Sequence, residues 1–290
     1  MKQRLEVRIK ILMLVTVLAV VSGALAEERV VSVGGDVTEI IFAMDQGHRV
    51  VASDSTSVFP PEANDMPKVG YVRQLSAEGV LSVEPELVLI SGAAGPPEAL
   101  EQLGNAGIPI IQMEKAYTIE SILEKTVRVA EILEIPAAGE VLAKQIRDDW
   151  AAAQHQVKLM GMTPRVLFFA SLRDGAPSAA GTETAADGII QLLGGKNVFD
   201  SHTGYKPLSL EAAVVAEPDV ILVMSHHADR MGGIDEVMSH PALSLTDAAQ
   251  NGRVFLVDPV TVMQFGPRTP AAVAELAARI NSARVASGGG

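Results

Sequence analysis

Residues 75–90 read LSAEGVLSVEPELVLI, and residues 208–223 repeat the same pattern as LSLEAAVVAEPDVILV. Each copy carries a Leu-Ser pair, a glutamate two residues later, and a Glu-Pro-acid triplet ahead of an apolar run. The copies start 133 residues apart, which is far longer than the roughly 20 to 50 residues of a solenoid repeat. The spacing therefore predicts two lobes built on one plan, with a ligand site in the cleft between them.

The first 26 residues have the composition of a secretory signal peptide. A basic start is followed by the apolar run Ile11–Val21 and by Ala24-Leu25-Ala26, a small-x-small cleavage site. The apolar run is shorter than the roughly 20 residues that a membrane span needs, although an uncleaved anchor remains the alternative. The chain has no cysteine, so it lacks the residue that a lipid anchor would need at the cleavage point, and disulfides and thiol catalysis are excluded.

The net charge of the chain argues against some classes of binding partner. The formal net charge is −12, and loss of residues 1–26 brings it near −15. So acidic a surface argues against nucleic acid or anionic lipid as a main partner, since both select basic proteins. An exported, unlipidated chain of this kind is expected in a bacterial periplasm.

Apolar runs alternate with helical patterns along the whole chain, which predicts an α/β fold of two Rossmann-like lobes with mostly parallel sheets. The strands are expected at Val30–Val33, Val50–Ala52, Leu87–Ile90, Ile108–Gln112, Arg165–Phe169, Val220–Met224 and Val254–Val257. The helices are expected at Asp36–Met44, Pro96–Asn105, Thr118–Leu133, Thr184–Leu193, Glu211–Ala216 and Ala271–Ser282, with another short one after Ser76. Asp36 and Glu39 have the spacing of a capping box at the start of the first helix.

Residues 137–160 differ from this alternation because they lack proline and carry apolar residues at helical spacing. A helix over this segment would be roughly 35 Å long and could connect the two lobes, although an ordinary surface helix of one lobe is the alternative. The predicted organisation is a signal peptide (1–26), an N-terminal lobe (27–136), the connecting helix (137–160), a C-terminal lobe (161–286) and a disordered tail (287–290).

The segment Gly70-Tyr71-Val72-Arg73-Gln74-Leu75-Ser76 resembles the periplasmic haem-binding proteins of bacterial haem ABC importers. Residues 179–187, AAGTETAAD, and residues 265–269, FGPRT, are also similar to that family. The resemblance covers the mature chain and implies two α/β lobes joined by one long helix. It further implies a monomer that catalyses nothing, takes up ferric haem that entered through an outer-membrane receptor, and delivers it to an ABC permease with its ATPase.

By this resemblance Tyr71 is the axial ligand of the haem iron. The chemistry agrees, because a phenol normally holds its proton to a pKa of about 10, and ferric haem is among the few partners that favour phenolate ligation. Arg73 lies two residues on, so in an extended segment both side chains would face one way. Its guanidinium could stabilise the phenolate oxygen or pair with a haem propionate. A Tyr-Arg pair on a solvated loop is the alternative.

The opposite wall of the cleft is expected from the second lobe. His226 and His227 follow a strand at its carboxyl end, where ligands of open α/β sheets collect. Either could contact haem, or both could be solvated. Arg173 and Arg230 could pair with the haem propionates or support the residues that contact the haem. Tyr205, Met231 and Phe265 could form the wall of the cleft. In the family that the chain resembles, some members stack two haems and use a histidine of the loop at residues 170–175 as the second ligand. This loop contains no histidine here, which favours one haem, although His226 or His227 leaves the number open. Tyr117 has no motif and is interpreted as a surface or core residue.

Glu78 and Glu211 occupy identical positions in the repeat, one in each lobe. In the wider class that the resemblance implies, glutamates at these positions dock onto arginines of the membrane permease. The alternative is an ordinary glutamate of a first helical turn, which the helix dipole favours.

Two other functions, binding of cobalamin or a siderophore and secreted catalysis, fit the sequence less well. A binder of cobalamin or of a ferric siderophore would share the fold, but neither ligand requires Tyr71, and aromatic residues form only 4% of the chain. A secreted enzyme is disfavoured because the sequence has no Gly-x-Ser-x-Gly elbow, Walker loop or His-Glu-x-x-His motif.

Overall fold

The computed structural model describes residues 28–173 and 176–288, so the predicted signal peptide lies outside the described residues. The described residues form two main sheets, one in each lobe, and a separate two-stranded sheet within residues 70–75. Their strands are β1 Val30–Val33, β2 Val50–Ser53, β3 Gly70–Tyr71, β4 Gln74–Leu75, β5 Leu87–Ile90, β6 Ile110–Gln112, β7 Arg165–Arg173, β8 Ala176–Ala180, β9 Lys196–Asn197, β10 Tyr205–Pro207, β11 Val220–Met224 and β12 Val254–Val257. The expected α/β fold is confirmed.

The N-terminal sheet has the order β2-β1-β5-β6, and all of its pairs are parallel. The C-terminal sheet has the order β10-β8-β7-β11-β12, with β9 also on β7. Its β7, β9, β11 and β12 pair in parallel, whereas β8 and β10 are antiparallel. The predicted loop at residues 170–175 is therefore wrong, because β7 runs on to Arg173 and pairs with β8 in a hairpin.

Thirteen α-helices lie in the described ranges. They are α1 Gly35–Ala43, α2 Pro61–Asn64, α3 Ala77–Leu81, α4 Pro97–Asn105, α5 Ile119–Ile132, α6 Pro136–Leu159, α7 Ala185–Leu192, α8 Leu210–Val215, α9 Ser225–Met231, α10 Ile234–Ser239, α11 Asp247–Gln250, α12 Pro259–Val262 and α13 Thr269–Gly288, and Gly47–Arg49 forms a 3-10 turn. No helix among the described residues combines the length and apolarity needed to cross a membrane.

The expected connecting helix is α6, which packs along α5 of the first lobe and along the closing helix α13. Its buried stripe includes Leu142, Ile146 and Ala153, whereas Val141 on the other face is 70% exposed. The apolar stripe of the helix joins a core that also contains Val37 from the first lobe and Phe168 from the second. Because this core is continuous across both lobes, opening them widely would expose apolar side chains to water.

The duplication extends to atomic detail beyond the sequence repeat. Glu84 and Glu217 have positive φ angles of 47° and 43° and redirect the chain after the short helices. The Arg29 side chain donates to the carbonyls of Val83 (2.6 Å) and Glu84 (3.0 Å). Arg165 makes the same bonds to Ala216 (2.6 Å) and Glu217 (3.1 Å). Each arginine thus satisfies carbonyls at the end of a helix.

Two helix ends differ from expectation. Asp36 is not a cap, because α1 has Gly34 at its N-cap without a side-chain bond, and the buried Asp36 instead pairs with Lys125. The closing helix continues to Gly288, so Ser287 and Gly288, expected in a disordered tail, are helical, and only residues 289–290 of that tail lie outside the described part. No proline interrupts residues 271–288, so nothing blocks the continuing ladder of i→i−4 hydrogen bonds.

Candidate functional site

Tyr71 is presented by a small hairpin of β3 and β4, in which it pairs with Gln74. Gly70 has φ 113°, and a Cβ there would lie 2.7 Å from the Gln74 carbonyl oxygen, so the close turn requires glycine. Val72 at the turn is buried and anchors the hairpin on the lobe. Tyr71 itself is 37% exposed, unusually open for a large ring. The hairpin therefore holds a phenol outward from a fixed base.

The contact expected between Arg73 and Tyr71 is present. Arg73 donates to the Tyr71 Oη from Nη2 at 2.7 Å and from Nε at 3.3 Å. The extended segment expected here is wrong, because Val72 and Arg73 form the turn of the hairpin, which brings the two side chains together. The hydrogen bond to Tyr71 is the main cause that raises the pKa of Arg73, so the guanidinium stays charged beside the phenol oxygen.

The other two tyrosines of the chain lie within electrostatic reach of the same arginine. Tyr205 is 46% exposed on β10, the edge strand of the second sheet. Burial of its hydroxyl raises the pKa of Tyr205 to about 12, the neighbouring Tyr117 adds to the rise, and Arg73 and a hydrogen bond with Thr184 oppose it. One guanidinium from the first lobe thus faces phenols of both lobes, as expected for a cleft lined by each.

Tyr117, interpreted from the sequence as a surface or core residue, is partly buried and packs against the main core. It follows β6 by five residues, and its ring packs on Phe265 of the second lobe with centroids 5.2 Å apart. Burial is the main cause that raises the pKa of Tyr117, and Arg73 lowers it. No motif or spacing in the sequence marks this residue. Phe265, expected as a wall residue, is only 1% exposed, so it supports Tyr117 from beneath rather than lining the cleft.

Polar bonds join the lobes beneath this aromatic pair. Lys125 pairs with the buried Asp36 and also donates to the Phe265 carbonyl at 3.4 Å. Gln264 donates to the Thr56 carbonyl at 2.8 Å. Because these groups come from segments far apart in the sequence, they fix the base of the cleft.

His226 and His227 open the helix α9 rather than lying on a loop, and their rings are 4.1 Å apart in an edge-on arrangement. Burial lowers the pKa of His227 to about 4, with contributions from His226 and Arg230. Burial is also the main cause that lowers the pKa of His226. The His227 Nδ1 is buried and has no hydrogen-bond partner among the described residues. The imidazoles are therefore neutral at pH 7, the form that can bind a metal ion.

The remaining candidates of the second lobe are placed as follows. Arg230 is exposed, and Met231 packs against the core of the second lobe. Arg173 ends β7, and its side chain lies outside the described part of the structure. Among the described residues, no group of three or more histidine or acidic side chains could hold a bare metal ion.

Glu78 and Glu211 are the second residues of α3 and α8, and both are exposed. Ser76 and Ser209 cap these helices through bonds to backbone N–H groups at 2.9 Å and 3.1 Å. Hydrogen bonds from its own backbone and from Ser209 lower the pKa of Glu211. Each lobe therefore presents a carboxylate to solvent at an equivalent position, a few residues after Tyr71 or Tyr205.

Known proteins are similar to this chain in sequence and in fold. The sequence model of a family described as periplasmic binding protein matches residues 30–261. The periplasmic haem-binding protein RhuT from Roseiflexus sp. RS-1, in its apo form, superposes with a TM-score of 0.84 at 38% identity, covering 89% of this chain and 99% of that one. The periplasmic haem-binding protein BhuT in complex with two haems also gives 0.84, at 37% identity, covering 88% and 98%. A vitamin B12-binding protein of Vibrio parahaemolyticus is 24% identical over 258 residues, which are 89% of this chain and 90% of that protein.

Proposed function

The chain belongs to the periplasmic binding protein family, whose members are substrate-binding transport proteins, and we propose that it captures ferric haem in the periplasm and delivers it to an ABC importer. The observation that carries this proposal is the exposed side chain of Tyr71, whose hydroxyl accepts a hydrogen bond from Arg73 at 2.7 Å. The likeness to solved haem-binding proteins supports the same ligand.

Tyr71 is the proposed axial ligand of the haem iron. Ferric iron is a hard Lewis acid that binds anionic oxygen, so coordination requires the Tyr71 phenol to lose its proton. Arg73 already donates two hydrogen bonds to that oxygen, and a charged donor stabilises negative charge more than a neutral one does. The pair is therefore arranged for phenolate coordination before the ligand arrives.

The second lobe supplies the other proposed contacts. Neutral His226 or His227 would approach the open face of the iron or the porphyrin edge, and Arg173 and Arg230 would pair with the propionates. Tyr205 would form a wall of the cleft. One haem is proposed for each chain, because residues 170–175 contain no histidine that could bind a second iron.

The proposed partner is an inner-membrane ABC permease with its ATPase. Glu78 and Glu211 would dock onto it, since they are exposed and lie at equivalent positions of the two lobes. Haem would reach the protein after passing through an outer-membrane receptor. Export would depend on the signal peptide at residues 1–26.

Cobalamin is the second candidate ligand, because a vitamin B12-binding protein is among the relatives that match most of the chain. Cobalamin brings its own axial ligands and leaves Tyr71 without a role. The two candidates therefore differ in whether loss of one hydroxyl matters.

A titration of the mature protein, monitored by absorbance, tests the proposal. Haemin should give a high-spin spectrum with tyrosinate ligation in the wild type, and Tyr71→Phe should lose that signature. His155→Gln, on an exposed part of α6, serves as the control and should behave as the wild type does. Tight binding of cyanocobalamin with no change of the haemin spectrum would reject haem as the ligand.

A further inference from the structure

We propose that Tyr117 is a ligand-contacting residue that donates a hydrogen bond to a carboxylate of the ligand from the inner end of the cleft. This inference rests on the proposed haem function, since it concerns how the same site recognises the haem propionates. It assigns a role to a tyrosine that carries no motif.

The position of Tyr117 comes from the topology of the first sheet. Ligands of open parallel sheets collect beyond the carboxyl ends of the strands. Tyr117 lies just beyond the carboxyl end of β6, in the segment that leads to α5. Its ring nevertheless contacts Phe265 of the second lobe, so the residue spans the base of the cleft.

The ring of Tyr117 is held rigidly. A Cβ added to Gly188 would lie 2.6 Å from the Tyr117 Cβ and 2.7 Å from the Phe265 Cζ, so the ring pair packs directly on the backbone of α7. The Phe265 ring is itself buried, with 1% of the residue exposed, and its backbone carbonyl accepts a hydrogen bond from Lys125. A side chain held on two partners loses little further entropy when it binds a ligand, which favours a role in recognition.

The chemistry of the groups around Tyr117 favours a carboxylate as its hydrogen-bond partner. Arg73 lies within electrostatic reach of Tyr117, and burial raises the pKa of Tyr117, so its hydroxyl keeps its proton and acts as a donor. A neutral O–H donor beside a guanidinium is complementary to an anionic acceptor with two oxygens. Tyr71 accepts a hydrogen bond from Arg73 and is the proposed ligand of the iron. Tyr117 would therefore contact the edge of the porphyrin, where the propionates are.

The test compares two ligands in two proteins. Haemin and haemin dimethyl ester are titrated into the wild type and into Tyr117→Phe, which keeps the ring on Phe265 and removes only the hydroxyl. Haemin should bind the variant about tenfold more weakly, the effect of losing one hydrogen bond to a charged group. The affinity for the dimethyl ester should fall by much less, because an ester carbonyl still accepts a hydrogen bond but carries no charge.

The outcomes separate the inference from the function on which it rests. Equal weakening of both ligands, or no weakening of either, would overturn the role of Tyr117 while the tyrosinate spectrum still supports haem binding. A wild type that fails to bind haemin would instead overturn the proposed function, and this inference with it. Thermal unfolding of both proteins confirms that the variant is folded.

Discussion

Arg268 of the second lobe donates three hydrogen bonds to the Glu39 carboxylate of the first lobe. Its backbone N–H donates to Oε1 at 2.9 Å, and Nε and Nη2 donate to Oε2 at 3.0 Å and 2.9 Å. The guanidinium also lies over the Phe59 ring, 3.4 Å from its centroid. The Glu39 side chain is only 4% exposed, so this ion pair, together with the shared core, holds the lobes in one arrangement.

Arg268→Ala should destabilise the protein more at pH 8 than at pH 5. Burial raises the pKa of Glu39, and Arg268 is the main opposing influence. Arg268→Ala removes the guanidinium and keeps only the backbone N–H bond to Oε1, so the pKa of Glu39 rises further. The folded state then holds a proton that the unfolded state releases, and stability falls as pH rises above the ordinary value of 4.5. The expected loss is about 2–3 kcal/mol at pH 8, measured by denaturant unfolding. Arg128→Ala breaks an exposed pair with Glu131 and should change stability by under about 0.5 kcal/mol at either pH.

Gly188→Ala should destabilise the protein, whereas Gly104→Ala should stabilise it. Alanine at 188 would drive its Cβ to 2.7 Å from both the Tyr117 carbonyl oxygen and the Phe265 ring, and the lobes must shift to admit it. Such overpacking costs about 1–3 kcal/mol. Gly104 lies in α4, where an added Cβ would meet no atom of the described residues within 4 Å apart from its chain neighbours and the backbone of its own helix. Alanine there should therefore add about 0.5–1 kcal/mol of stability. Equal melting temperatures for the two variants would contradict the packing described for the base of the cleft.

Much of the fold could be predicted because local chemistry determines it. Apolar runs such as Val220–Met224 matched their strands, and Ser76 marked the start of α3. The repeat predicted two related lobes, and the lack of proline within residues 137–160 predicted α6. In the site, the short separation of Tyr71 and Arg73 made their contact predictable even though the backbone between them is a turn.

The rest depends on contacts between distant segments. Asp36 has the sequence signature of a helix N-cap, but it forms an ion pair with Lys125, which lies 89 residues away in the sequence. Tyr117 meets Phe265 only because the two lobes meet, and nothing in its own neighbourhood signals a site. The antiparallel β8 and β10 were missed because residues 176–180 and 205–207 are short and contain proline, a residue that usually argues against strands.

Acidification should destabilise the fold partly through His227. The pKa of His227 in the folded chain is lowered to about 4 from an ordinary value of 6.5. At pH values between these two, His227 binds a proton in the unfolded chain but not in the folded chain. Stability should therefore fall as pH decreases from about 6.5 to 4. His227→Gln should flatten this part of the curve of melting temperature against pH. His155→Gln, exposed on α6, should keep the slope of the wild type, and an unchanged slope in His227→Gln would contradict the buried, neutral imidazole.

The double variant Glu78→Ala/Glu211→Ala should separate docking from ligand binding. Both carboxylates are exposed, so haemin affinity and the melting temperature should stay as in the wild type. Binding to the importer reconstituted in vesicles should weaken roughly 2- to 30-fold, as expected when two exposed charge pairs are lost. Added salt should weaken the wild type more than the variant, because ions screen exposed charges. Glu98→Ala/Glu101→Ala removes two exposed glutamates of α4 and keeps the net charge change equal. If that control variant loses as much importer binding, the effect comes from overall charge, and the two repeat-related glutamates are not the docking residues.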